Sequence, residues 1–406
     1  MTTLEIIREW RSHLAPRLVL VGAVVGFAAM CGLGRSIAQI DYHPNYVRLT
    51  QWDSPETKYY PTVNEMIAIV RQGMKPGQIL VIIGGNSVLR GVGQPPARIW
   101  SKRLQDDLGS GYGVFNFAYD GSPPSNGGAV VAEALRQEFP RQIYLANDTP
   151  THGGSYPTGS PVYRFNNWEA YYRGMLIDDP VRNVEIKLSD DIPEYYNREF
   201  AVPELKIREW LDSLFFFQDL WNYVTFTQVN TVWGLYLPSF LSPRNSYADP
   251  EPDSLQTPLS VRFPNDAAAT AVEMNIVRGD SVYAYNKGPD GKWQIYQPLW
   301  DEFEKEAAAV FPAQLKKRTL ILLGYAAPYF LSRLAPDEVE RSDLTYQHSV
   351  QEWEKSGYEA LIYGKNYVLD DFCDRTHLTS RGGNKLADVV APKIRAMAGK
   401  LGYVAP

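Results

Sequence analysis

The chain has 406 residues, 45% of them hydrophobic and 21% charged, with a formal net charge of -6. That composition belongs to a globular protein long enough for one large domain or two smaller ones, and it argues against a disordered chain. The acidic balance and the lack of a basic stripe argue against a nucleic-acid partner, and the two cysteines form no disulfide framework.

The first element is an uncharged run from Leu18 to Leu33, LVLVGAVVGFAAMCGL, extended by Gly34 and by Ile37-Ala38. Its length approaches that needed to cross a bilayer. Arg8, Arg11 and Arg17 precede it, and Arg35 and Asp41 follow it. The bias favours a cytoplasmic N-terminus and an exported body. A cleaved signal peptide is the rival reading, but the run is long for one and Arg35 interrupts the cleavage region. The expected organisation is a cytoplasmic tail (1–17), a transmembrane anchor (18–38) and an irregular linker rich in Tyr, Pro and Asp (39–60).

The body opens with a helix over Pro61 to Arg71, where Val63, Met66, Ile67 and Val70 recur at helical spacing. After a Lys75-Pro76-Gly77 turn, Gln78 to Ile83 reads as a strand buried on both faces. It runs into Gly84-Gly85-Asn86-Ser87, and a helical pattern resumes over Ala97 to Leu108. The unit repeats: a strand over Val114 to Ala118 leads to Gly121, and a helix follows from about Asn126 to Phe139. A strand over Gln142 to Ala146 then leads to Asn147-Asp148. Thr319 to Gly324 is a strand, followed by helices around Pro328 to Leu334 and Val350 to Lys355. A short strand over Glu359 to Tyr363 and a last helix from Ser380 to Leu401 complete the chain. Strands alternating with helices predict an α/β domain with a parallel sheet, whose sites lie at the C-terminal ends of the strands.

Residues 151–314 interrupt this alternation and are too long for a plain loop. They hold an aromatic stretch, Trp210 to Leu241, and a β-hairpin pattern over Ser281 to Gln297. Asp212, Gln218, Asp219, Asn222, Gln228 and Asn230 prevent the aromatic stretch from spanning lipid. Few Lys or Arg accompany it, so it reads as buried within an inserted cap rather than lying on a membrane surface. No metal-ligand cluster and no cofactor motif is found, and His13, His43 and His348 stand alone.

Four blocks carry chemistry. Ser87, at a strand-to-helix turn, is placed to be a nucleophile. Backbone N–H groups there, that of Gly121 and the side-chain amide of Asn147 could face a developing oxyanion. His377 could take the Ser87 proton, with Asp374 three residues earlier holding the imidazole. Cys373, beside this block, reads as a spectator. Singly, Gly121 and Asn147 are ordinary turn residues.

In order and content these blocks resemble the SGNH/GDSL hydrolase superfamily over about residues 76–150 and 315–400. Its Gly-Asp-Ser block stands here as Gly85-Asn86-Ser87. Its second-block glycine matches Gly121, its Asn-Asp pair matches Asn147-Asp148, and its Asp-x-x-His matches Asp374 and His377. The resemblance implies a three-layer parallel-sheet (flavodoxin-like) domain over 61–150 and 315–406. It also implies a catalytic set of Ser87, His377 and Asp374, with Ser87, Gly121 and Asn147 as oxyanion donors. The anchored arrangement is similar to envelope proteins of alginate acetylation and D-alanylation systems. By analogy it implies a bacterial inner-membrane protein with an exported body, an integral-membrane acyltransferase or larger complex as partner, and an acylated polysaccharide as substrate. Two functions follow: a serine esterase or O-acyltransferase acting through an acyl-Ser87 intermediate, or a non-catalytic subunit docked in a membrane complex. Burial of Ser87 or misalignment of His377 would favour the second.

Overall fold

A computed structural model describes residues 16–39, 48, 52–54, 57–59, 62–118, 122, 124, 127–153, 214–216, 219–220, 256–262, 267–309, 311 and 313–404. Helix α1 (Pro16–Ile37) contains the apolar run, and Leu18–Ile37 is long and apolar enough to cross a membrane. Segment 39–60, expected to be irregular, holds a short antiparallel pair, Trp52–Ser54 with Thr57–Tyr59.

The sheet is built from β1 (Ile79–Ile83), β2 (Tyr112–Asn116), β3 (Gln142–Asp148), β4 (Thr319–Gly324) and β5 (Glu359–Tyr363). Its order is β2-β1-β3-β4-β5 and every neighbouring pair is parallel. This is one of the two common doubly wound orders, with its switch point between β1 and β3. β1 lies inside the sheet and is buried along its whole length, which is why its sequence is unbroken Ile, Leu and Val.

Alternate strand residues feed two cores, one on each face. Leu80 and Ile82 pack with α2 (Val63–Gly73) and α5 (Gly128–Ala134). Ile79, Val81 and Ile83 pack on the other face with α4 (Trp100–Leu108) and α9 (Ser380–Lys400). Helices on both faces of a parallel sheet make the α/β architecture expected of the sequence. Between β1 and α4 stands a single-turn helix, α3 (Ser87–Arg90).

The described residues of 256–309 join this body. Here lie α6 (Ala267–Ser281), a hairpin of Tyr285–Lys287 with Trp293–Ile295, and α7 (Gln297–Ala309). Met274 and Val277 enter one core, while Tyr285, Trp300 and Phe303 enter the other. This part of the insertion, which the sequence reads as a cap, thus extends the sheet's own cores. Most of Trp210 to Leu241 lies outside the described residues.

Helix α8 (Pro336–Lys355) is far longer than the Val350 to Lys355 segment that the sequence suggested. Its buried face is Ser342, Thr345, Tyr346, Ser349 and Trp353, a helical repeat written largely in hydroxyls. Ser342 Oγ donates to Ser281 Oγ at 2.9 Å, and Thr345 Oγ1 donates to the Arg341 carbonyl at 2.9 Å. Small hydroxyl groups, those of Ser342 and Thr345 hydrogen-bonded, therefore fill part of a helix face that an apolar pattern would miss.

Candidate active site

The Gly85-Asn86-Ser87 block sits where β1 ends, at the switch point of the sheet. Gly85 has φ +83, and a Cβ there would meet the backbone N of Asn147 at 2.8 Å and collide with its Oδ1. Only glycine combines that backbone with so close an approach to β3. Asn86 then caps α3. Its Oδ1 accepts from the backbone N–H of Val88 at 3.0 Å and from Asn147 Nδ2 at 2.7 Å. In return the Asn86 backbone N–H donates to Asn147 Oδ1 at 2.9 Å. The backbone donors on each side fix which way both amides point. Ser87, the first residue of α3, is half-buried. The Leu89 carbonyl accepts from Trp100 Nε1 at 2.7 Å and Asn116 Nδ2 at 2.9 Å, which ties the short helix to α4 and β2.

The block from Asp374 to His377 lies on the loop between β5 and α9. The loop closes on itself: Phe372 bridges Leu378, the Cys373 N–H donates to the His377 carbonyl at 2.9 Å, and the Thr379 N–H donates to the Asp371 carbonyl at 3.0 Å. Asp374 Oδ1 accepts from the N–H groups of Thr376 at 2.9 Å and His377 at 2.8 Å. Its other oxygen is left for the ring, and Oδ2 lies 2.6 Å from His377 Nδ1. On the far side of the ring, His377 Nε2 lies 2.7 Å from Ser87 Oγ. Nδ1 facing a carboxylate carries the proton, so Nε2 is the acceptor for the Ser87 hydroxyl.

The electrostatics agree with that tautomer. Burial pushes the Asp374 carboxyl up, but the hydrogen bond and charge of His377, with the two backbone N–H groups, pull it further down. The net result lies well below the usual carboxylate range. Asp374 and His377 remain partly open to solvent, with side-chain exposures of 36% and 21%.

The loop is also fastened from outside. The Ala327 N–H, after β4, donates to the Arg375 carbonyl at 2.8 Å. Arg375 Nη1 pairs with Glu273 of α6 at 2.5 Å. Beneath the loop Asp371 is fully buried and pairs with Lys385 Nζ at 2.5 Å. Asp280, also on α6, has its carboxyl pushed up to about 6 by burial, with Arg375 pulling it partly back.

Of the residues singled out from sequence, Ser87, His377, Asp374 and Asn147 are brought together, the last through Asn86. Gly121 lies outside the described residues. Cys373 is a buried thiol whose Sγ donates to the His377 carbonyl at 3.4 Å. The pairing of Asn86 with Asn147 and the Glu273–Arg375 fastening were not read from sequence. Their partners stand 61 and 102 residues apart, and no local pattern links them. Among the described residues no group of three or more His, Cys, Asp and Glu could hold a metal ion. No family model, curated protein or solved structure matches the chain.

Proposed function

We propose that the protein is a membrane-anchored serine esterase or O-acyltransferase of the SGNH type, acting on an acylated cell-envelope polymer. The observation that carries this reading is the continuous line Ser87 Oγ–His377 Nε2–Nδ1–Asp374, with links of 2.7 and 2.6 Å. A non-catalytic subunit has no need of that alignment, nor of a half-buried Ser87 at its end.

In this mechanism Ser87 Oγ attacks the ester carbonyl as its proton passes to His377 Nε2. Asp374, held ionised, stabilises the imidazolium. The oxyanion is met by backbone N–H at Ser87 and by the second amide proton of Asn147, with Gly121 as a further donor by resemblance. Collapse of the tetrahedral intermediate expels the alcohol, which takes the proton from Nε2 and leaves acyl-Ser87. Water or a sugar hydroxyl then repeats the steps in reverse, giving hydrolysis or transfer.

The anchor reading draws on the seat of α1. Gly34, Ile37 and Ala38 at its end are buried, whereas Leu18, Val21 and Val25 are 65%, 57% and 61% exposed. A helix apolar all round suits lipid, and a fitted end suits a helix that is kept rather than cleaved.

The test is labelling of the detergent-solubilised protein with a fluorophosphonate. Wild type is expected to label, and Ser87→Ala and His377→Ala to fall to background. Folded wild type that does not label would overturn the enzyme reading in favour of a docking subunit.

A further inference from the structure

Helix α1 has a companion. The ring of Phe215 meets that of Phe27 edge-on, with centroids 4.8 Å apart. Two turns further along the same face of α1, Gly34 is buried, since a Cβ there would lie 3.1 Å from Phe216 Cβ and collide with the Phe215 carbonyl. Residues 214–216 therefore lie along α1 from Gly34 toward Phe27. Phe27 stands about ten residues before the end of the helix, or about 15 Å at 1.5 Å per residue. That is half of a hydrocarbon core about 30 Å thick.

The other end of this segment grips the body. Asp219 is 1% exposed, and it accepts from Thr62 Oγ1 at 2.6 Å and from Asn64 Nδ2 at 3.3 Å. Thr62 is also the cap of α2, which packs on β1, the strand that leads to Ser87. Between the two contacts stands Phe216, a non-glycine residue at φ +54, and the Leu220 N–H donates to the Phe216 carbonyl at 2.9 Å. A bulky residue held in that region marks a turn that its surroundings impose.

We infer that Leu214–Phe216 enters the body-side leaflet beside α1. It is a second lipid contact that, through Asp219, fixes the body and its Ser87 site against the membrane. This rests on the reading of α1 as a membrane span. The occupant is lipid because the apolar surface continues around α1: Val19, Leu20, Val24 and Leu33 are all more than half exposed, and Leu214 is 36% exposed beside them. A protein partner would cover one face of such a helix, whereas acyl chains surround it.

Three nitroxide probes test this in full-length protein reconstituted in phosphatidylcholine–phosphatidylglycerol vesicles. They are attached at Leu214→Cys, Val24→Cys and Tyr296→Cys, in a background of Cys31→Ala and Cys373→Ala. All three positions are exposed, so the labels disturb no core. Thermal unfolding verifies each fold. Collisions with dissolved oxygen report lipid, and collisions with a water-soluble nickel chelate report solvent. The expected result is loss of nickel collisions at Leu214 and Val24 and their retention at Tyr296. Nickel access at Leu214 but not at Val24 would overturn the wedge and leave the anchor standing. Nickel access at both would overturn the two together.

Discussion

Ser87 and His377 reach one another from two arms that are built in unlike ways. The nucleophile arm is neutral: a positive-φ glycine, a carboxamide pair and backbone donors hold Asn86-Ser87 against β3. The base arm is ionic: Asp374 faces His377, Arg375 pairs with Glu273, and buried Asp371 pairs with Lys385. Geometry in the first arm depends on shape and on hydrogen-bond donors that do not titrate. Geometry in the second depends on charges, some of which come from the inserted segment. Shape changes should therefore act through Ser87, and pH and charge changes through His377.

The largest effect that would break this contrast is expected from Asp374→Asn. The carboxamide keeps the size of the carboxylate but no longer holds Nδ1–H, so fluorophosphonate labelling should slow by on the order of 10⁴-fold. The same variant has a pH signature. The folded-state Asp374 carboxyl lies below its unfolded value, so its ionic contribution to stability is present above about pH 4. That contribution is lost as pH falls toward the folded-state value. In urea unfolding the gap between wild type and Asp374→Asn should narrow from pH 7 to pH 3. A gap that stays constant would mean the carboxylate is held by shape, as the other arm is.

In the neutral arm the informative pair is Asn86→Ala and Asn86→Asp. Alanine removes the acceptor for both Val88 N–H and Asn147 Nδ2, which leaves the Asn147 amide held by the Asn86 backbone N–H alone. A loss of about 10²-fold in labelling rate is expected, the scale of one misdirected oxyanion donor. Aspartate keeps an acceptor in the same place and should retain most of the rate. If aspartate were as damaging as alanine, the neutrality of this arm would itself be required.

The sheet was legible wherever burial on both faces leaves an unbroken apolar run. Thr319–Gly324 falls where it was read, as does the partly buried edge strand Glu359–Tyr363, and β1 begins one residue later than expected. β2 ends two residues early because Phe117 and Ala118 stay buried past the last pair, so the apolar signal outruns the strand. The site was legible as residue types: Ser87, Asp374 and His377 stand in short motifs whose local turns place them. What fastens them was not legible. Asn86 meets Asn147, and Arg375 meets Glu273, only because the sheet brings distant segments together. Helix α8 escaped for a different reason, since its buried face carries the hydroxyls of Ser342, Thr345 and Ser349 where an apolar pattern would be looked for.

The smallest effect tests how far the ionic arm reaches. Asp280 stands on α6 near Arg375 and Tyr346, half-buried, with its carboxyl pushed up to about 6 by burial despite the pull of Arg375. A folded-state value above the unfolded one, about 3.9, means that stability is full below about pH 4 and is lost as pH rises toward 6. Asp280→Asn removes this titration while keeping the size of the side chain. At pH 7.5 the variant should be the more stable by on the order of 1 kcal/mol, a figure reduced from the full shift because the group is partly solvated. Below about pH 3, where Asp280 is protonated in both states, the two proteins should unfold at the same urea concentration. Should the variant instead be less stable at pH 7.5, Arg375 would outweigh burial and hold Asp280 ionised. The base arm would then be braced by two carboxylates of α6, Glu273 and Asp280, in place of one.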